Sequence, residues 1–211
     1  MPTADVTMQI PANVLVLGDL SYTGNGPTEP RSQLQQDSFQ QYFLQPQDWR
    51  VWDAVATALG SAASDDLGLG NGTFATGLPY ISAGDVKTLT GTRYARLQFQ
   101  LPPEYVAGQS VRITANAGML TTVASTTCTV DFEVYKSNRD TTKTGSDLCS
   151  TAATTINSLT FAPVNFDVTA TSLSPGDIID IRMAIAYVDG ATGTAVTPAL
   201  ADVCLQLDIK G

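Results

Sequence analysis

Acidic side chains are the residues whose spacing could support catalysis or metal binding. They form three groupings: Asp65–Asp66, Asp131 with Glu133, and Asp177 with Asp180. Asp131 and Glu133 share one face of a predicted strand, which places their side chains about 7 Å apart. That arrangement could suit a glycosidase pair or calcium ligands. Acids on the solvent face of a strand give the same pattern, and we expect this second explanation to apply.

Other catalytic chemistry is disfavoured by what the sequence lacks. It contains no histidine, which removes the commonest general base and the Ser-His-Asp site. Its three cysteines, Cys128, Cys149 and Cys204, are odd in number and have no CxxC spacing, so they indicate neither a disulfide framework nor a zinc site. No nucleophile elbow or phosphate-binding loop is present. We therefore predict a protein without catalytic residues, metal or cofactor.

Exposed aromatic residues are the remaining sign of a binding site, since sugars bind aromatic side chains on sheets and loops. The candidates are Tyr94, Tyr105, Tyr135 and Tyr187. Tyr187 has the parity of a buried strand face, and Tyr105 sits in a turn between proline and glycine. The pattern leaves carbohydrate binding open as an alternative function.

Composition favours contact with other proteins over contact with nucleic acid or membranes. The 211 residues carry a net charge of −9, with 43% hydrophobic and 15% charged residues. A nucleic-acid backbone or an anionic membrane requires clustered Lys and Arg. A weakly charged surface packs against neighbours at little desolvation cost. We expect no signal peptide and no transmembrane segment, because the N-terminal region has no basic stretch and only a short apolar run.

The strands that would position these residues begin near residue 85. Residues 1–84 predict an N-terminal arm that orders against its own domain or a neighbouring subunit. The arm contains one short helix at about 50–60, because Trp52, Val55, Ala56 and Leu59 follow the i, i+3, i+4, i+7 spacing.

Residues 85–211 predict about eight strands with turn signals between them, which is typical of an antiparallel all-β sandwich. A jelly roll fits best and an immunoglobulin-like sandwich second. Immunoglobulin domains have a Cys…Trp…Cys spacing, which is missing here because both tryptophans lie in the predicted arm. The predicted strands are 86–89, 94–101, 110–117, 119–124, 127–136, 159–168, 178–189 and 201–210.

The strand at 178–189 raises the question of what covers its second face. One parity, from Ile179 to Tyr187, is apolar, whereas the other begins with Asp180 and Arg182 and then turns small and apolar. A neighbouring subunit, the arm, or burial on both faces would explain this change equally well. We predict a protein interface formed by Phe39, Tyr42, Phe43, Trp49, Trp52, Ala184, Ala186 and Val188.

Several short motifs from about residue 49 to the end resemble small virion proteins of tailed bacteriophages. They are WRVWDAV, DDLGLGNGTF, GDV, YARLQFQLPPEYVAGQSVRI, TVDFEVY, SDL, LSPGDIIDIRM and LQLDIKG. Proteins of this kind resemble capsid cement, or decoration, proteins. The resemblance implies a jelly roll made in the host cytoplasm and placed on the virion, outside the icosahedral head. It also implies an arm over the major capsid protein and homotrimers at three-fold positions, without catalytic residues.

Three functions follow from these patterns. A structural cement protein fits best. A receptor- or carbohydrate-binding module of a phage tail or fibre is the alternative, and it predicts an exposed aromatic cluster or a calcium site. A carbohydrate-active enzyme comes third, because histidine is absent and the carboxylates lie in ordinary positions.

Overall fold

The computed structural model describes residues 37–124, 126–190 and 193–210. These residues form eleven strands and one three-residue 3-10 helix, Pro46–Asp48. The strands are β1 (Asp37–Phe43), β2 (Gly68–Gly70), β3 (Tyr80–Ser82), β4 (Thr90–Gln100), β5 (Val111–Met119), β6 (Thr126–Ser137), β7 (Lys143–Thr144), β8 (Thr154–Thr155), β9 (Ala162–Val168), β10 (Ile178–Asp189) and β11 (Pro198–Lys210). The prediction of an all-β fold is confirmed.

The strands pair antiparallel in two sheets that pack as a sandwich. The six-stranded sheet has the order β2-β3-β11-β5-β9, and β1 pairs with β11 beyond the end of β3. The five-stranded sheet has the order β4-β10-β6-β7, and β8 also pairs with β6. Along the described chain the long strands alternate between the sheets: β4, β6 and β10 lie in the five-stranded sheet, and β5, β9 and β11 lie in the six-stranded sheet. This arrangement is jelly-roll-like.

Alternating side chains build the core between the sheets. In β10, Ile179, Ile181, Met183 and Ile185 are fully buried, and intervening residues face outward. The rings of Phe132 in β6 and Phe166 in β9 lie 4.9 Å apart, centroid to centroid, and join the two sheets. Period-two burial of this kind is what the sequence pattern predicts for a half-buried strand.

Residues 37–84 belong to the sandwich, which corrects the predicted domain boundary at residue 84. β1 pairs with β11 along its whole length, from Asp37 opposite Lys210 to Phe43 opposite Cys204. β2 and β3 extend the same sheet. The predicted arm is therefore, over this part, a set of edge strands and loops of the domain. Its residues 1–36 lie outside the described residues.

The helix predicted at about 50–60 is wrong. Residues 50–58 form a tight loop instead, in which the Val51 amide donates to Thr57 O at 3.0 Å and the Thr57 amide donates to Ala54 O at 2.7 Å. Arg50 bridges the edge of β4 at Arg96, so its backbone groups bond to a strand and not along a helix. Val55, on the predicted apolar face, is exposed.

Two predicted short strands are turns. Residues 86–89 turn around the buried Val86, and the Thr88 amide donates to Asp189 Oδ2 at 2.7 Å. Most of 119–124 follows the end of β5 as a bend. Within the described ranges, no helix is long and apolar enough to cross a membrane.

Candidate functional site

A groove crosses the outer face of the five-stranded sheet and has a volume of about 400 Å³. We call it the tryptophan groove. Its floor comes from β4, β10 and β6, one wall from the loop at residues 52–53, and the other wall from β6 and β7. Its lining residues are Trp52, Asp53, Arg96, Glu133, Tyr135, Lys143, Asp180 and Arg182.

Pairing at the edge of β4 puts Trp52 in place. The Arg50 amide donates to Arg96 O at 2.9 Å, and the Arg96 amide donates to Arg50 O at 3.0 Å. The Trp52 indole Nε1 then donates to Asp65 Oδ2 at 3.1 Å, and its ring lies 5.3 Å from the Tyr94 ring. These contacts fix an aromatic wall above the sheet edge, which they also protect from pairing with another chain.

Two ion pairs form the groove floor. Arg96 donates from Nε to Asp180 Oδ1 at 2.7 Å and from Nη2 to Asp180 Oδ2, a bidentate contact. Arg182 donates from Nη2 to Glu133 Oε1, directly across the β10–β6 pair. The hydrogen bond to Asp180 raises the pKa of the Arg96 guanidinium above its ordinary value. Both guanidinium groups are thus balanced by carboxylates.

Cations also lie against the aromatic rings of the groove. The Arg182 guanidinium carbon is 4.8 Å from the Tyr94 ring centroid and 5.7 Å from that of Trp52. Lys143 Nζ lies 3.1 Å from the Tyr135 ring centroid at the far wall. The Tyr135 hydroxyl donates to Glu133 Oε2 at 3.3 Å. Cation–π contacts and hydrogen bonds therefore hold the walls and floor as one network.

Most carboxylates of the three groupings are engaged in structural contacts. Asp66 differs, because its buried Oδ1 has no hydrogen-bond partner among the described residues and burial raises its pKa. Asp177 accepts from Lys136 Nζ at 2.7 Å and from the Ser174 amide at 2.8 Å, at a turn away from Asp180. Asp65 accepts from Trp52. In the part of the chain that the structure describes, no three His, Cys, Asp or Glu residues lie together in a way that could hold a metal ion.

The three cysteines are separate free thiols. Cys128 is fully buried in the core, whereas Cys204 is on the outer face of β11. Burial raises the pKa of Cys149 to about 11 and that of Cys128 above its ordinary value. Both thiols stay protonated at neutral pH, and a protonated thiol is a poor nucleophile.

Asp131 lies next to the groove, opposite Ala184 of β10. Its Oδ1 accepts from the Phe132 amide at 2.9 Å. Burial raises the pKa of Asp131, and the neighbouring carboxylates of Asp147 and Glu133 add to this effect. The ionised form of Asp131 is therefore held in an unfavourable setting.

We expect Asp131→Asn to stabilise the protein at neutral pH. Because the folded-state pKa is raised, ionised Asp131 opposes folding above that pKa, and the penalty disappears as the pH falls through it. The asparagine carbonyl still accepts from the Phe132 amide. Urea unfolding should show a higher free energy for the variant at pH 7 and a smaller gain at pH 3. An equal gain at both pH values would contradict this explanation.

The opposite side of the sandwich carries a second surface, which we call the phenylalanine face. Phe39 and Phe43 of β1 project from it with 71% and 51% of their surface exposed. Around them the outer face of the six-stranded sheet is mostly uncharged, with an ion pair between Arg112 and Asp167 at 2.7 Å. Other residues of the outward parity on β1, β11, β5 and β9 are Gln41, Asp202, Cys204, Gln206, Asp208, Lys210, Thr114, Asn116, Pro163 and Asn165. Of these, Asp208 lies opposite Phe39 and is buried.

The structure divides the eight predicted interface residues among separate places. Trp49 is 0% exposed, so the prediction that it contacts a partner is wrong. Tyr42 points inward and meets Phe99 at 5.5 Å between ring centroids. Phe39 and Phe43 lie on the phenylalanine face, and Trp52 lies in the tryptophan groove.

The remaining three predicted residues share the outer face of β10 with the groove. Ala184 and Ala186 are half-buried between strands, and Val188 is 55% exposed. They therefore face outward within the described residues, beside threonines of β4 and β6. Among residues 37–124, 126–190 and 193–210, burial of this strand on both faces does not explain its apolar second parity.

Comparison with known proteins gives only distant structural likenesses, which carry no argument about this chain. No family model and no curated protein matches the chain. The CBM22-1 xylan-binding domain of Paenibacillus barcinonensis Xyn10C has a TM-score of 0.38 and 11% identity, covering 69% of this chain and 82% of that one. The C-terminal family 22 carbohydrate binding module of Clostridium thermocellum Xyn10B has a TM-score of 0.39 and 15% identity, and the match covers 81% of this chain and 94% of that one. The Cry4Aa toxin of Bacillus thuringiensis has a TM-score of 0.34 and 16% identity, and the match covers 82% of this chain and 24% of that one.

Proposed function

We propose that this chain is a structural protein that binds the outside of a tailed-phage capsid through its phenylalanine face. In that role it is a cement or decoration protein, acts as a homotrimer and contacts the major capsid protein. The observation that carries the proposal is the exposure of Phe39 and Phe43 on a weakly charged sheet face. The choice of capsid as partner rests on the sequence resemblance.

The phenylalanine face has the chemistry of a protein contact. Fully burying a phenylalanine side chain contributes about 1.5–3 kcal/mol, and aromatic residues are frequent at the energetic centres of interfaces. The uncharged neighbours Gln41, Cys204 and Gln206 lose little solvation on contact, and the charges of Arg112 and Asp167 are already paired with each other. Many copies on a lattice would add such contacts through avidity, so that each one can be modest.

The strand that carries both phenylalanines also offers main-chain contacts. Among the described residues, β1 pairs on one side with β11, and its other side has no strand partner. An edge of this kind accepts a strand from another chain. Its sequence, DSFQQYF, lacks the lysine, proline and bulge that commonly block edges. Side-chain and main-chain contacts therefore point to the same part of the surface.

Replacing both Phe39 and Phe43 with threonine is expected to weaken capsid binding at least about tenfold, because truncating central aromatic residues commonly costs more than 1 kcal/mol each. Threonine keeps the strand propensity of β1. Co-sedimentation with purified heads that lack the protein measures the binding. Light scattering of the free protein measures whether it is a trimer.

Leu159→Thr is the matched control, since Leu159 is 57% exposed but lies in a loop outside the face. It should bind capsids like the parent. Val188→Thr is a second control on the opposite sheet, and this variant should also bind capsids like the parent. Equal capsid binding by the double variant and the parent would contradict the proposal, as would loss of binding with Val188→Thr alone.

A further inference from the structure

We infer that the tryptophan groove is a binding site for a neutral saccharide. This site is on the sheet opposite the phenylalanine face and goes beyond the proposed capsid contact. Its volume of about 400 Å³ lies in the range of roughly 300–1,000 Å³ that small-molecule sites occupy. The groove is open at the surface, which suits one or more sugar units of a longer chain.

The charges of the groove indicate an uncharged ligand. Its lining contains three cations, Arg96, Arg182 and Lys143, and three carboxylates, Asp53, Glu133 and Asp180. Both arginines are already paired, and Lys143 rests on the Tyr135 ring. A phosphate or sulfate ligand would have to compete with these carboxylates. A neutral ligand leaves the pairs intact.

The floor also presents donors and acceptors in fixed positions. A guanidinium group has five N–H donors, and a carboxylate has about four acceptor sites. The described ion pairs use Nε and Nη2 of Arg96, and Nη2 of Arg182, so further N–H groups remain for a ligand. Hydroxyl groups both donate and accept, so a floor that places guanidinium donors beside carboxylate acceptors suits the edge of a sugar.

Aromatic side chains complete the site from both walls. Trp52 stands at the β4 edge and Tyr135 at the β6 side, with the ion pairs between them. Aromatic rings supply apolar area at small cost in conformational entropy, and the C–H faces of sugar rings are apolar. Trp52 is anchored through Asp65 and Tyr94, so the wall is formed before a ligand arrives. Preorganisation of this kind favours affinity.

The test uses soluble hexasaccharides and the full-length protein. Cellohexaose, mannohexaose and chitohexaose are the neutral probes, and a heparin hexasaccharide is the anionic one. The chain has two tryptophans, so Trp49→Phe leaves Trp52 as the fluorescent reporter of the groove. We expect at least one neutral probe to change this fluorescence, with an affinity that varies less than about twofold between low and high salt.

Calorimetry of groove variants then locates the binding. Trp52→Ala and Tyr135→Ala should each weaken it at least about tenfold, with near-UV circular dichroism showing that they fold. If Trp52→Ala does not fold, Tyr135→Ala and Glu133→Gln decide the result. The Phe39→Thr/Phe43→Thr variant is the matched control and should bind the saccharide like the parent.

Three results would overturn the inference: no neutral probe binds, heparin alone binds, or the folded groove variants bind as well as the parent. Its failure is distinguishable from failure of the capsid proposal. A protein that binds capsids but no neutral saccharide refutes the groove site alone, and one that binds saccharide but not capsids refutes the capsid role alone.

Discussion

Replacing Trp49 with alanine is expected to lower the free energy of unfolding by about 3–5 kcal/mol, the usual cost of removing a large buried aromatic residue. Trp49 is fully buried and its ring centroid lies 6.4 Å from that of Phe132. Phe132 in turn packs on Phe166, so the substitution opens a cavity beside the contact that joins the two sheets. Urea unfolding followed by circular dichroism measures the change.

Trp52→Ala is the matched control, because Trp52 is only three residues away and partly exposed. It should cost about 0.5–1.5 kcal/mol, the contribution of an aromatic pair such as that with Tyr94. Trp49→Phe should cost less than Trp49→Ala, since it retains a ring and removes an indole N–H that has no partner among the described residues. If Trp49→Ala were as mild as Trp52→Ala, residue 49 would not belong to the core.

Gly68→Ala is expected to destabilise the protein by about 1–3 kcal/mol through overpacking. A Cβ at this position in β2 would lie 2.8 Å from Ala62 Cα and 2.9 Å from the Ser61 carbonyl carbon. These are main-chain atoms, and the segment that carries them is held by the Leu69 amide, which donates to Gly60 O at 2.8 Å. The backbone therefore has little room to move away. Thermal unfolding measures the loss.

Gly60→Ala is the control within the same segment. A Cβ at residue 60 meets no atom within 4 Å. The substitution should be neutral or should stabilise by up to about 1 kcal/mol, because it restricts the unfolded chain. Equal unfolding temperatures for the two variants would show that the close approach at Gly68 does not exist in solution.

The long strands were predictable because apolar and polar residues alternate with period two along their sequences. In β6 and β10, one parity is apolar almost without interruption, and this parity is the one that the structure buries. β1 gave no comparable signal. It is an edge strand with glutamines on both faces and exposed phenylalanines, so its side chains do not report which side faces the core.

The failed helix shows where local spacing misleads. Trp52, Val55, Ala56 and Leu59 have helical spacing, yet the backbone at Arg50 is paired with Arg96 of β4. A long-range strand pairing overrode a local pattern, and one sequence alone does not reveal that pairing. The same limit applies to Trp49, whose burial depends on the crossing from β1 to the edge of β4.

The tryptophan groove was predictable only in part. The outward parity of Arg96, Asp180, Arg182 and Glu133 follows from the alternation of their strands. Which arginine meets which carboxylate depends on strand register, and a shift by one residue would send all these side chains to the other face. The approach of Trp52 to this surface depends on the loop that sequence reasoning assigned to a helix.

The pairing of Asp37 with Lys210 has a mechanical consequence. It places the first residue of β1 beside the last residue of β11, with the two strands running in opposite directions. Tension applied between residues 37 and 210 would peel β1 from β11 like a zipper, breaking its hydrogen bonds one after another. A force applied across the broad faces of the two sheets would instead act on the packed side chains of the whole core at once. We therefore expect the protein to resist mechanical force better when its partners contact the faces of the sheets than when they pull on residues 37 and 210.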